Sequence, residues 1–184
     1  MKISFITSNK HKVEEFQAVL EGIAELEHIE IDYPEMRSDD PGEISKVAAK
    51  QLADTLNKTI IVEDSGMFID ALKGFPGTCS AYIHPRIGLK GILKLLETED
   101  NRAAEYISAI GYCEPGKDPL VFVGSEKGTI ALTERGDHGF GHDPIFMPEG
   151  SKNTYAEMEN IKDVKKFRRL AIEKLLAFLK ENGN

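Results

Sequence analysis

Apolar residues recur along this chain with two different periods, and the alternation between them lays out its elements. Lys2 to Ile6 predicts a first strand. After Thr7-Ser8-Asn9-Lys10-His11-Lys12, the positions Val13, Phe16 and Leu20 are spaced for one face of a helix that begins near Lys10. Leu26 to Ile31 predicts a second strand. Pro34 to Gly42 is a polar turn, and a helix follows from about Glu43 to Leu56. Ile60-Ile61-Val62 predicts a buried strand that stops abruptly at Glu63-Asp64-Ser65-Gly66. Gly74-Phe75-Pro76-Gly77 predicts a loop, and Ile87 to Leu96 a short helix. Two β-rich segments, Ala103 to Cys113 and Pro119 to Leu132, flank the turn Glu114-Pro115-Gly116-Lys117-Asp118, as in an antiparallel hairpin. Asp163 to Lys180 predicts a closing helix with Leu175, Leu176 and Leu179 on its buried side. The expectation is an α/β fold, a twisted mixed β-sheet flanked by helices, with no internal repeat and no long linker.

Composition narrows the setting. The 184 residues fit one domain, residues 1–184, with 41% hydrophobic and 29% charged residues. No apolar run approaches the ~20 residues of a membrane span, and the chain enters a strand at once, without the apolar core of a signal peptide. No membrane partner is expected. A formal net charge of −8 argues against general nucleic-acid binding, which depends on neutralising phosphates. Cys79 and Cys113 form no redox or metal-ligand motif, so a reducing cytoplasm is the expected location.

Three stretches carry candidate chemistry. Glu63 and Asp64 follow a buried apolar run, and paired carboxylates there call for a compensating cation, such as a divalent metal that bridges to phosphates. Thr7 to Lys12 lacks the glycines of a nucleotide-binding loop. Ser8 and Asn9 either cap the helix with Lys10 and Lys12 in solvent, or the helix N-terminus, Asn9 and Lys12 hold a polyphosphate. In Gly139-Phe140-Gly141-His142-Asp143-Pro144-Ile145-Phe146, glycines surround an aromatic residue. Phe140 either stacks on a flat base or belongs to the core. His138 and His142 suggest zinc, but no third ligand of suitable spacing follows them.

Together these stretches resemble the inosine/xanthosine triphosphate pyrophosphatase family. The matching residues are Thr7-x-Asn9-x-x-Lys12 with Glu15, Pro34-Glu35, Val62-Glu63-Asp64-Ser65-Gly66 and Gly74-Phe75-Pro76-Gly77. They continue with Phe122-x-Gly124-x-x-x-Gly128-x-Ile130, Gly139 to Phe146, and Thr154-Tyr155-Ala156-Glu157-Met158, in order along the whole chain. The resemblance implies an elongated, two-lobed domain with a central substrate cleft, assembled as a homodimer. It also implies purine nucleoside triphosphates as substrates and Mg2+ as cofactor. By the same resemblance, Thr7, Ser8, Asn9, Lys10, His11 and Lys12 would bind the triphosphate, and Glu35 and Asp64 would hold magnesium. Asp64 would act as general base beside Glu63, and Ser65 would contact substrate. Phe140 would stack on the purine, Gly141, His142 and Asp143 would frame the base and sugar, and Lys162 with Arg168 would complete the base pocket. The chain departs from the family at Lys166-Phe167-Arg168, where Ser-His-Arg is usual. Phe167 then occupies the place of a base-contacting His, and Lys162 or Lys165, and Arg168 or Arg169, stand as candidates for the base contact.

Overall fold

Period-two alternation in the third strand explains why its sheet is buried on both sides. In the computed structural model, which describes residues 2–159 and 165–182, β1 (Lys2–Ile6) runs parallel to β2 (Glu25–Ile29) and to β3 (Ile60–Ile69). Ile61 packs with Ile3, Phe5, Val13, Phe16, Leu175 and Leu179. Its neighbours Ile60 and Val62 point the other way, to Ile6, Ala49, Leu52 and Ala53. Helix α1 (Lys10–Leu20) lies on the first of these clusters, its Phe16 ring stacked 4.3 Å from Phe5. Helix α2 (Pro41–Leu56) lies on the second. It starts where Asp40 accepts a hydrogen bond from the Gly42 N–H at 2.7 Å, with Pro41 at the first helical position, and ends at Asn57 in the left-handed region.

The remaining elements are β4 (Pro76–Gly77), α3 (Ser80–Leu95), β5 (Ala103–Cys113), β6 (Leu120–Ile130), β7 (Phe146–Pro148) and α4 (Lys166–Asn182). The strands form a mixed sheet in the order β2-β1-β3-β5-β6-β7, with β4 paired to β3. Two compact units divide the chain. The first comprises Met1–Asp64, Ser108–Gly124 and Arg168–Asn184, and the second Ser65–Ile107 and Ser125–Phe167. The second has its own core of Met67, Ile69, Ile92, Tyr106, Ile145, Phe146, Tyr155 and Phe167 among others. Within it, β4 pairs antiparallel with the end of β3, and β7 pairs antiparallel with β6. No helix among the described residues is long and apolar enough to cross a membrane.

Two boundaries differ markedly from the sequence expectation. Strand β3 does not stop at Glu63-Asp64 but continues to Ile69. Gly66 within it permits close approach of β4, since a Cβ there would lie 2.1 Å from the Gly77 carbonyl oxygen. Helix α3 begins at Ser80 rather than Ile87, because Pro85 and a break at Gly88 (φ 63°) obscure its first turns. Helix α4 is seen from Lys166. Its expected start at Asp163 lies outside the described residues.

Candidate active site

The first unit gathers charge around β3. Asn9 caps α1, its Oδ1 accepting the N–H groups of His11 at 3.0 Å and Lys12 at 3.4 Å, while Thr7 Oγ1 accepts from the Asn9 N–H at 3.1 Å. The capping expectation for Asn9 therefore holds, but Lys12 does not face solvent. Its ammonium lies 2.5 Å from Glu63 Oε2 and donates to the Glu63 carbonyl at 3.2 Å. The remaining members of the turn, Ser8, Lys10 and His11, are exposed.

Glu63 is the hub. Its carboxylate is fully buried and also accepts from Ser108 Oγ at 2.6 Å and from Arg168 Nε at 3.1 Å. Arg168 in turn donates to Glu15 at 2.6 Å. Burial pushes the Glu63 carboxyl up. The Lys12 and Arg168 charges, with hydrogen bonds from Lys12 and Ser108, outweigh it and hold the group down at about 2. Burial likewise opposes the Arg168 charge, but Glu63 and Glu15 raise its pKa above the ordinary value.

Asp64 follows Glu63 on β3 and is half-buried; Glu35 is exposed on the segment after β2. Tyr33, packed at the edge of the Ile6–Leu52 cluster, donates from its hydroxyl to Glu35 Oε1 at 2.9 Å. Burial raises the Tyr33 pKa first; the charge and hydrogen bond of Glu35 add to it, and then the charges of Asp64 and Glu63. All three carboxylates thus act on one phenol. Glu35 and Asp64 suit Mg2+, which takes one or two carboxylates and fills its other positions with water and substrate phosphate. Glu63 is committed to its cations. Among the described residues no three His, Cys, Asp or Glu side chains converge as a metal cage.

The second unit gathers the loop after β6. Gly139 (φ 77°) and Gly141 (φ 65°) flank Phe140 and permit a turn that other residues enter only with strain. The Phe140 N–H donates to Asp143 Oδ2 at 2.7 Å. Lys165 reaches the same oxygen at 2.8 Å, and its ammonium lies 4.1 Å from the Phe140 ring centroid. His142, 4% exposed, meets His84 edge-on at 5.1 Å. Burial, then His84, lowers its pKa to about 4. Phe167 is buried in the core of this unit, stacked 4.6 Å from Tyr106 at 9°. Ser65 is half-buried at the start of this unit. Lys162 lies outside the described residues.

Sequence reasoning assigned no role to Tyr33, Ser108 or His84. Ser108 carries no local signal, since only the pairing of distant segments sets it against Glu63. Tyr33 precedes Glu35 by two residues and was findable as a neighbour of a candidate metal ligand.

Known proteins resemble this chain over nearly its whole length. Residues 3–178 match the Ham1 family model. A dITP/XTP pyrophosphatase of Methanopyrus kandleri is 48% identical, over 99% of this chain and 98% of that protein. Another protein of that name, from Thermococcus kodakarensis, is 42% identical over 99% of each. Among solved structures, a HAM1 protein from Coxiella burnetii superposes with a TM-score of 0.88 at 28% identity, over 98% of this chain and 99% of that one. The Staphylococcus aureus Ham1 protein gives 0.83 at the same identity and coverage. Matched nearly end to end in sequence and in fold, the chain belongs to the Ham1 family.

Proposed function

We propose that this chain hydrolyses deaminated purine nucleoside triphosphates (dITP, ITP and XTP) to the monophosphate and pyrophosphate, clearing them from the nucleotide pool. The reading extends to a magnesium-dependent homodimer in the cytoplasm. The names of the relatives support the substrate class. The observation that carries the chemistry is the buried Glu63 carboxylate bound to Lys12, Arg168 and Ser108, directly before Asp64 on β3. A site that handles a polyphosphate needs fixed positive charge; Lys12 and Arg168 supply it, with Glu63 as their counter-charge next to Asp64 on the same strand.

In this reading Lys12 and the first N–H groups of α1 bind the phosphates and stabilise the leaving pyrophosphate. Glu35 and Asp64 hold magnesium, which when bound offsets phosphate charge. Asp64 accepts the proton of a water that attacks the α-phosphorus. The bond from that phosphorus to the oxygen bridging the β-phosphorus breaks, and its electron pair leaves with pyrophosphate. Tyr33 holds Glu35 through its hydroxyl. In the second unit Phe140 offers its ring to the purine, and Gly141 to Asp143 frame it. Arg168, seated between Glu15 and Glu63, acts first on the charge of Glu63.

A broader-specificity pyrophosphatase is the second reading, favoured by Phe167, which is turned into the core and has no hydrogen to donate to a base. Pyrophosphate release from dITP, ITP, XTP, ATP and GTP, with magnesium and with EDTA, separates the two. The proposal expects dITP and XTP to be cleaved far faster than ATP or GTP, and EDTA to abolish release. Asp64→Asn should fold normally and lose about 10²–10⁴ in rate. Release of single phosphate groups, or a folded Asp64→Asn retaining more than a tenth of the rate, would overturn it.

A further inference from the structure

Of the two carboxylates read as metal ligands, Asp64 stands on β3, whereas Glu35 is exposed on the irregular segment between β2 and α2. A ligand on such a segment needs an anchor, because the entropy of ordering it otherwise weakens metal binding. Tyr33 is the side chain in place to hold it. Its ring packs against the cluster that includes Ile6, Leu52 and Val62, together with Ile29 and Leu56. Its hydroxyl donates to Glu35 Oε1 at 2.9 Å.

The step from anchor to ligand is short and stiff. Pro34, between the two, fixes its own φ and biases Tyr33 to extended backbone. The far end of the segment is tied separately. There Ser38 Oγ donates to Glu43 at 2.6 Å, and Asp40 caps α2. The chemistry of the anchor matters as much as its place. A neutral phenol orients a carboxylate and leaves its charge available to a cation, whereas an ammonium or guanidinium answers that charge. Glu63 shows the contrast, since Lys12 and Arg168 already sit on it. Glu35 is held by a hydroxyl on Oε1, and its Oε2 remains for a metal.

We propose that Tyr33 is a positioning residue that sets the metal affinity of the site: its core-packed ring and its hydroxyl hold Glu35 for a divalent cation shared with Asp64. The inference rests on the reading of Glu35 and Asp64 as metal ligands, and adds what fixes the ligand on the irregular segment. Hydrogen-bond partners behind a ligating carboxylate typically govern metal affinity by about 10–100-fold. The contact of Tyr33 with Glu35 is exposed, which places its effect near the lower figure.

The test measures Mn2+ binding without nucleotide, from the electron-spin-resonance signal of the free ion. Mn2+ takes the same oxygen ligands as Mg2+. Wild type is compared with Tyr33→Phe, Glu35→Gln and the double variant Tyr33→Phe/Glu35→Gln, each melted to check folding. Tyr33→Phe keeps the packed ring and removes only the hydroxyl. We expect it to raise the Mn2+ dissociation constant about 10-fold, and the magnesium concentration for half-maximal dITP turnover by a similar factor. In the Glu35→Gln background the same change should have no further effect, because Tyr33 acts through Glu35. A loss there as large as in wild type would assign Tyr33 a merely structural role and overturn the inference. So would a Tyr33→Phe protein with Mn2+ affinity within twofold of wild type while Glu35→Gln weakens binding; the reading of Glu35 as a ligand would then stand. If neither variant alters Mn2+ binding, Glu35 is no ligand and the inference falls with that reading. Weakened Mn2+ binding by Tyr33→Phe in a protein that releases no pyrophosphate would leave the inference standing and remove the proposed reaction instead.

Discussion

Glu63 gathers Lys12, Arg168 and Ser108 on one buried carboxylate. Removing the Glu63 charge takes the carboxylate from Lys12 and leaves the buried Arg168 with Glu15, so Glu63→Gln should cost roughly 3–5 kcal/mol. Its acid behaviour follows from the held-down carboxyl, at about 2 against an ordinary 4.5. A carboxyl lowered in the fold stabilises it fully above its unfolded value, and that contribution is lost as pH falls from about 4.5 to 2. His142 acts in a higher window. With its pKa lowered from 6.5 to about 4, the unfolded chain takes up a proton first, so stability also falls between those values. Melting temperature against pH should decline in both windows, and Glu63→Gln should flatten the lower one alone. An unchanged lower limb in the folded variant would contradict the assignment.

At the scale of elements, contacts between distant segments decide where glycine is required. A Cβ on Gly111 of β5 would lie 2.0 Å from the carbonyl oxygen of Ser45 on α2. The Ser45 backbone cannot yield as a flexible side chain does, so Gly111→Ala should destabilise by about 1–3 kcal/mol, through overpacking rather than lost contacts. Urea unfolding measures this as a lowered midpoint, and a midpoint within error of wild type would show that α2 does not pack so closely on β5. Helices α1 and α2, β1 and the β5–β6 pair were legible because cap residues, apolar spacing and a Pro-Gly turn each coincide with a local rule. Continuation of β3 past Asp64 was not, since its partner β4 is two residues long and the apolar run itself ends at Glu63. The start of α3 was obscured in the same way by Pro85 and Gly88.

For the molecule as a whole, the proposed homodimer has apolar surface available to it. Tyr82 is 57% exposed, Leu95 49% and Leu132 78%, all in the second unit. Scattered exposed hydrophobics are common on monomers, so this surface is compatible with a dimer without defining its face. Sedimentation equilibrium at assay concentration should report twice the 20.4 kDa of the chain. A mass of 20.4 kDa across the accessible concentration range would remove the homodimer from the proposal.

By itself the sequence determined the class of fold and the family, because period-two and helical spacings are local properties and the motifs run in order along the whole chain. It also placed Asn9 at a helix start and picked out Glu63 and Asp64 as carboxylates needing a cation. Tertiary structure alone decided which cations answer Glu63, since Lys12, Ser108 and Arg168 reach it from three distant segments. It alone set Lys165 against Asp143 and Arg168 between Glu15 and Glu63. The physical reason is the same in both cases. Local rules record what a residue does to its own backbone, whereas the charge state and reach of a buried side chain depend on what the fold sets beside it.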